Sequence, residues 1–309
     1  MLKVFIDGSQ GTTGLRIFDR LSARDDISLI TLPEDLRKDL SARKEAINSS
    51  DITFLCLPDA AAVEAVSMAS DNVRILDTST AHRTADGWVY GFPEVFADGY
   101  QKVKNANRVA VPGCHASGFI ALVKPLVDCG ILPPDALITC HSITGFSGGG
   151  KKMIADYSSA ERSELLKAPR QYALAQTHKH LKEMKAITGI SSEPVFCPIV
   201  SDFYSGMCVT VPVFKEQLRK GATSDDIKRV YSQYYNGPIV NYIENGDENG
   251  FVSANAVSGK DGMQIFVCGN DERILLIARY DNLGKGASGA ALQCMNIIMQ
   301  TDATTGLDL

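Results

Sequence analysis

The stretch Ala110-Val111-Pro112-Gly113-Cys114-His115-Ala116-Ser117-Gly118 is where this chain is best equipped for covalent chemistry. The run Arg108-Val109-Ala110-Val111 reads as a short buried strand, and Pro112-Gly113 breaks it. Phe119, Ile120, Leu122, Val123, Leu126 and Val127 then recur at helical spacing, which predicts a helix with Cys114 near its N-terminus. Unpaired N–H groups and the helix dipole favour a thiolate there, and a thiolate on a tight turn is a candidate nucleophile. The remaining cysteines, Cys56, Cys129, Cys140, Cys197, Cys208, Cys268 and Cys294, lie in or beside apolar segments. They form no CxxC pair and no metal-ligand spacing, so they read as structural and no metal site is expected.

A thiol nucleophile wants an acid or base nearby. Two of the five histidines fall in Thr177-His178-Lys179-His180-Leu181-Lys182-Glu183-Met184. On a helix His178 and His180 would point to different sides, which argues against a chelating pair. His180 and Glu183 stand three apart, so the carboxylate could orient that imidazole; an exposed helix face is the plainer reading of both histidines. The segment His141-Ser142-Ile143-Thr144-Gly145-Phe146-Ser147-Gly148-Gly149-Gly150-Lys151-Lys152 reads as a loop, either simply flexible or one whose N–H groups cradle an anion.

Leu2-Lys3-Val4-Phe5-Ile6 reads as a strand and runs into Asp7-Gly8-Ser9-Gln10-Gly11-Thr12-Thr13-Gly14, followed by Leu15, Ile17, Phe18 and Leu21 at helical spacing. Strand, glycine-rich turn and helix suit a pyrophosphate at a helix N-terminus, although Gly8, Gly11 and Gly14 are spaced G-x-x-G-x-x-G, not G-x-G-x-x-G. Alternation continues with strands at 27–32, 51–57 and 73–77 and helices at 36–47 and 58–69, implying a parallel, doubly wound sheet. Glu34, Arg37 and Lys38 follow the second strand, where cations accept a 2′-phosphate; Arg37 with Lys38 favours NADP, against a solvated helix face. Segments 207–214 and 273–280 read as further strands, and 284–299 as a helix.

These segments together resemble the N-acetyl-γ-glutamyl-phosphate reductase family in its shorter form. The resemblance rests on Gly8–Gly14, Pro112–Gly118, Thr144–Lys152, His178-Lys179-His180 and Asp281-Asn282-Leu283-Gly284-Lys285-Gly286-Ala287-Ser288-Gly289-Ala290-Ala291, and it spans nearly the whole chain. Longer family members read His-Arg-His-x-Pro-Glu where this chain has His178-Lys179-His180-Leu181-Lys182-Glu183. The resemblance implies an α/β fold: a Rossmann-type NADP domain over residues 1–113, completed by a C-terminal helix at 285–309, and a mixed α/β catalytic and oligomerisation domain over 114–284. It implies NADPH-dependent reduction of N-acetyl-γ-glutamyl phosphate to N-acetylglutamate γ-semialdehyde, in arginine biosynthesis, through a Cys114 thioester. The implied site has Cys114, His180, His178 and Glu183 in catalysis, with Gly8, Gly11, Thr12, Thr13, Gly14, Arg37, Lys38, Ser147, Gly148 and Asn282 toward the coenzyme. A homodimer or homotetramer is implied as well. Rival readings are an aspartate-semialdehyde dehydrogenase-like enzyme, which shares the style of the cysteine turn, and a non-catalytic NADP-binding regulator, which leaves Cys114 unexplained.

The bulk properties agree. At 309 residues, 45% hydrophobic and 22% charged, the chain is long enough for two domains with real cores. A net charge of −5 without a basic run argues against nucleic acid. No apolar run is long enough to span a bilayer, and eight scattered cysteines without a disulfide framework fit a reducing cytoplasm.

Overall fold

The computed structural model describes residues 1–309, which form two compact units: 1–113 with 287–307, and 114–286 with 308–309. In the first unit the chain runs β1 (Leu2–Asp7), α1 (Thr12–Ser22), β2 (Ile27–Ile30), α2 (Leu40–Asn48), β3 (Ile52–Leu55), α3 (Asp59–Met68), β4 (Arg74–Asp77), β5 (Val89–Tyr90), α4 (Gly99–Asn105) and β6 (Arg108–Ala110). The second unit holds α5 (Cys114–Asp128), β7 (Thr139–Gly145), α6 (Gly150–Ser158), β8 (Arg170–Gln171), α7 (Leu181–Thr188), β9 (Val195–Ser201) and β10 (Met207–Phe214). It continues through α8 (Ser224–Tyr234), β11 (Val240–Tyr242), β12 (Met263–Asn270) and β13 (Arg273–Tyr280) before α9 (Gly289–Met299) returns the chain to the first unit.

The first unit is one parallel six-stranded sheet in the order β2-β1-β3-β4-β6-β5. Strand alternation sends Val4 and Ile6 to one face, against Ile17 and Leu21 of α1 and Ala291, Met295 and Ile298 of α9. Phe5 goes to the other face, with Ala46 and Ile47 of α2 and Ala62 and Ala65 of α3. Chain order reverses between β1 and β3, and in such sheets ligands sit at the carboxyl ends of the strands beside that switch.

Several boundaries differ from the sequence reading. The second strand ends at Ile30 rather than at 32. The helix expected at 36–47 starts at Leu40, because Asp39 caps it by accepting the Ala42 N–H at 2.8 Å. Arg37 and Lys38 therefore lie between a 3₁₀ turn, Glu34–Leu36, and α2. Gly14 sits in the first turn of α1, not ahead of it. Residues 141–145 are strand, not loop; only Phe146–Gly149 is a turn, and Lys151 and Lys152 lie on α6. At the C-terminus Gly284–Ser288 forms a π-helical turn before α9. Residues 285–286 and 308–309 fall in the second unit; the Asp308 N–H donates to Asp261 Oδ2 at 2.9 Å, and Lys260 pairs with the Asp308 carboxylate at 2.7 Å.

The second unit is a mixed seven-stranded sheet, β11-β12-β13-β10-β7-β9-β8. Its register is antiparallel across β10–β7 and β10–β13 and parallel across β7–β9. α5 is buried over almost its whole length. Pro125 inside it has no N–H for the Ala121 carbonyl, and the Tyr235 hydroxyl donates to that oxygen instead, at 2.6 Å. No helix is long and apolar enough to cross a membrane.

Candidate active site

Cys114 is the first residue of α5 and is half-buried. The hydroxyl of Tyr280, buried on β13, stands at that first turn: it donates to the Cys114 carbonyl at 2.5 Å and accepts the Gly118 N–H at 3.0 Å. Only glycine fits at 118, since a Cβ there would lie 2.7 Å from the Tyr280 oxygen. Gly286, in the π-helical turn, is also tightly placed: a Cβ there would lie 3.1 Å from Cys114 Cβ. Such π turns recur at functional sites, where they re-aim one side chain.

Around His115, the residue after Cys114, the second unit gathers imidazoles. The His115 ring centroid lies 5.6 Å from that of His178 and 5.7 Å from that of His180, and the last two are 4.6 Å apart, edge to face. His115 is buried, its Nδ1 2.7 Å from Ser142 Oγ and its Nε2 2.6 Å from the Tyr172 hydroxyl. Burial, helped by the charge of His178, pushes the His115 pKa down to about 3, so this ring is neutral in ordinary buffers. Burial raises the Tyr172 phenol, and the Cys114 charge raises it further, which places phenol and thiol in one electrostatic neighbourhood.

His178 and His180 do not share a helix face. Both precede α7; His180 is its N-cap residue and donates its backbone N–H to His178 Nδ1 at 3.2 Å. Glu183 lies in the first turn of α7, with Oε1 4.0 Å from His180 Nε2, beyond hydrogen-bond length. The i, i+3 pairing expected from sequence is thus a buried electrostatic neighbour, not a direct orienting bond. What positions the histidines is a strap. β8 pairs with the edge of β9, and the Gln176 side-chain amide bonds Phe196 at both its carbonyl, 2.7 Å, and its N–H, 2.8 Å.

His115, Tyr172 and Ser142 carried no assignment from sequence. Adjacency to Cys114 was a usable signal for His115. Tyr172 had none, because its place depends on an edge pairing of two residues. Burial raises the thiols of Cys56, to about 12, and Cys208, to about 11, and raises Cys140 as well, which keeps them protonated, whereas Cys114 is partly accessible.

In the first unit a crevice of about 850 Å³ opens at the sheet switch. Gly8, Gly11, Arg37 and Lys38 line it, with Ser9, Gln10, Glu34 and Asp35. Gly8 has φ +86° and its Cβ would meet the Cys56 carbonyl oxygen at 2.3 Å; a Cβ on Gly14 would meet the Gly8 oxygen at 2.4 Å. Those two glycines are demanded by the turn itself. Gly11 has ordinary backbone angles and its nearest atom would be 3.4 Å away, so the space in front of it is free for a ligand. That cradle, at the N-terminus of α1, fits a dinucleotide pyrophosphate. Thr12 and Thr13 form the first turn behind the cap position. Ser147, Gly148 and Asn282 belong to the second unit: the Asn282 amide donates to Ser147 Oγ at 3.0 Å and accepts the Gly206 N–H at 3.0 Å, fixing the glycine-rich turn.

A dinucleotide crevice on a parallel sheet, followed by a cysteine-bearing mixed domain, defines a semialdehyde-dehydrogenase-type oxidoreductase. Residues 3–103 match the semialdehyde dehydrogenase NAD-binding domain, and residues 114–282 match the semialdehyde dehydrogenase dimerisation domain. The chain is 45% identical to N-acetyl-gamma-glutamyl-phosphate reductase 2 of Nostoc sp., with 99% of both chains covered. It is 43% identical to the N-acetyl-gamma-glutamyl-phosphate reductase of Sinorhizobium medicae, over 96% of this chain and 98% of that one. Among solved structures, aspartate semialdehyde dehydrogenase II of Vibrio cholerae superposes with a TM-score of 0.72 at 16% identity, over 97% of this chain and 98% of that one. Aspartate semialdehyde dehydrogenase with NADP from Candida albicans gives 0.67 at 13%, over 98% and 99%. Those two likenesses speak to the fold alone. The chain belongs to the N-acetyl-γ-glutamyl-phosphate reductases, oxidoreductases of arginine biosynthesis.

Proposed function

We propose that the reduction of N-acetyl-γ-glutamyl phosphate by this protein runs through a thioester on Cys114, with NADPH as reductant. The observation that carries this reading is one half-buried thiol at a helix start, in a unit that also packs two imidazoles and a phenol beside its neighbour His115. The Cys114 thiolate attacks the acyl-phosphate carbonyl; the S–C bond forms, the C–O bond to phosphorus breaks, and phosphate leaves. Bound NADPH supplies the hydride that reduces the thioester carbonyl. The resulting oxyanion re-forms the C=O bond as the C–S bond breaks, releasing the semialdehyde; His180 gives its proton to the departing Cys114 sulfur and takes it back when the thiol is next activated, and His178 binds substrate or coenzyme. Backbone N–H groups at the start of α5 stabilise the oxyanion.

Arg37 and Lys38 support NADP as the coenzyme, since both line the crevice just past β2, where the 2′-phosphate of a bound dinucleotide falls. Replacing both by alanine should cost about 1.5–3 kcal/mol of NADPH affinity and leave NADH binding unchanged; equal losses for both coenzymes would remove the assignment.

The protein works as a homodimer or a homotetramer in the cytoplasm. Alternation and register put Val195, Ile199, Ile143, Pro212, Phe214 and Leu275 on the sheet face opposite α5, where Val195 and Phe214 are more than half exposed, 54% and 59%. Eight cysteines scattered through the sequence without a paired spacing support the reducing compartment.

The test is the reverse reaction. Phosphate-dependent reduction of NADP with N-acetylglutamate γ-semialdehyde should far exceed that with aspartate semialdehyde. The opposite preference would make the aspartate-semialdehyde reading the better one.

A further inference from the structure

The crevice holds a charged group that the pyrophosphate cradle does not explain. Alternation along β1 gives Asp7 the same face as Phe5, so its carboxylate caps the apolar layer formed with α2 and α3 and lines the crevice next to Gly8. Asp7 is 4% exposed. A buried carboxylate beneath an anion-binding turn opposes the ligand's charge. Arg43, reaching over from α2, answers it: Nε and Nη2 donate to Asp7 Oδ2 at 3.1 and 3.0 Å, and Nη1 donates to Glu64 of α3 at 2.9 Å. Arg43 is itself buried and lines the crevice, while Glu64 is nearly half exposed to water.

We infer that the Asp7–Arg43–Glu64 triad is the electrostatic floor of the dinucleotide crevice, Arg43 cancelling the Asp7 carboxylate beneath the site of the pyrophosphate. Arg43 is a positioning and charge-balancing residue here. Its three bonded nitrogens face carboxylates, so it is engaged below the ligand and is not the group that takes a 2′-phosphate; Arg37 and Lys38 remain for that. Desolvation raises the Asp7 pKa in spite of Arg43, the mark of a carboxylate held in a poorly solvated place. Without Arg43 the Asp7 charge would act through the low-dielectric crevice wall on every anion bound above it. Because the pyrophosphate is common to NADPH and NADH, the floor acts on both coenzymes. The inference rests on reading the crevice as the coenzyme site, not on which coenzyme is preferred.

A mutant cycle on the full-length protein tests it, with Kd for NADPH and NADH read from nicotinamide fluorescence at one pH and ionic strength, and with Tm followed alongside. Arg43→Gln should weaken both coenzymes about tenfold or more, equivalent to roughly 1.4 kcal/mol or more. Asp7→Asn alone should bind at least as tightly as wild type. The double variant Asp7→Asn, Arg43→Gln should recover to within about threefold of wild type. Arg43→Lys keeps the charge, so it should stay near wild type even if Arg43→Gln folds poorly. A double variant as weak as Arg43→Gln would overturn the inference, since Arg43 would then be touching the nucleotide or holding the fold. So would wild-type affinity in Arg43→Gln, or a loss in Arg43→Lys as large as in Arg43→Gln. Failure of the underlying reading looks different: wild type itself would bind neither coenzyme.

Discussion

The turn that ends β1 and the strap that carries Tyr172 and His178 both hold groups for chemistry, yet they are built over very different distances along the chain. The first is local. Gly8, Gly11 and the start of α1 lie within a few residues of one another, and the turn's requirements are met by φ +86° at Gly8 and by the closeness of the Gly8 oxygen to Gly14. The second is tertiary. Tyr172 reaches His115 across 57 residues, and the Gln176 amide stitches the strap to Phe196, 20 residues on. A local turn writes its glycines at fixed spacing and can be read from sequence. A strap held by an edge strand and one side-chain amide writes no periodic pattern.

That contrast is open to attack, beginning where the effect is largest. Cys114→Ser should retain coenzyme binding and a near-native Tm while losing several orders of magnitude in kcat, because serine is far less acidic at the same size. Appreciable turnover in that variant would move the nucleophile away from the cluster.

The histidine pair comes next. His180→Asn should lower kcat about 10²- to 10⁴-fold and flatten one limb of the pH–rate profile, whereas His178→Asn should mainly raise KM. His178 Nδ1 accepts the His180 N–H, so part of the His178→Asn effect would be transmitted through His180. The reverse pattern would reassign the proton transfer to His178.

Within the glycine turn the structure separates two kinds of residue. Gly11→Val should weaken NADPH about tenfold or more with little change in Tm, since Gly11 lines the crevice and a Cβ there meets no atom closer than 3.4 Å. Gly8→Ala should lower Tm instead, because its Cβ would collide with the Cys56 carbonyl and its φ disfavours any other residue. If both variants lose Tm alike, Gly11 serves the fold as its neighbours do.

The smallest effect concerns pH. His115 has a folded pKa of about 3, well below the unfolded value of about 6.5. As pH falls from neutrality toward that folded value, the unfolded chain takes up a proton that the folded protein does not, so stability is lost with acid. His115→Gln cannot take up that proton. Its Tm should therefore fall less steeply than wild type between about pH 7 and pH 5; parallel curves would mean that the ring is not held neutral.

The sequence pattern carried much of the fold. Strands at 207–214 and 273–280 coincide with β10 and β13, and Cys114 does open α5. What it missed follows from tertiary preference over local pattern. Asp39 captured the start of α2 and left Arg37 and Lys38 outside the helix, and the pairing of β7 with β9 and β10 drew 141–145 into a sheet despite the glycines that follow. Of the proposed site, Cys114 and the glycine turn at 8–14 were legible as candidates because each sits at a strand-to-helix junction. Ser142, Tyr172 and the Tyr280 hydroxyl at the first turn of α5 were not, because each comes to the site only through a partner distant in sequence.

The covalent step on Cys114 can be trapped directly. Wild-type protein mixed with N-acetyl-γ-glutamyl phosphate in the absence of coenzyme, quenched in acid and measured as intact mass and as peptides, should release one equivalent of phosphate per active site. It should also carry the N-acetylglutamyl group as a thioester on the peptide containing Cys114, and added NADPH should discharge that group as the semialdehyde. Phosphate release with no acyl group on Cys114, or an acyl group that NADPH leaves in place, would contradict it.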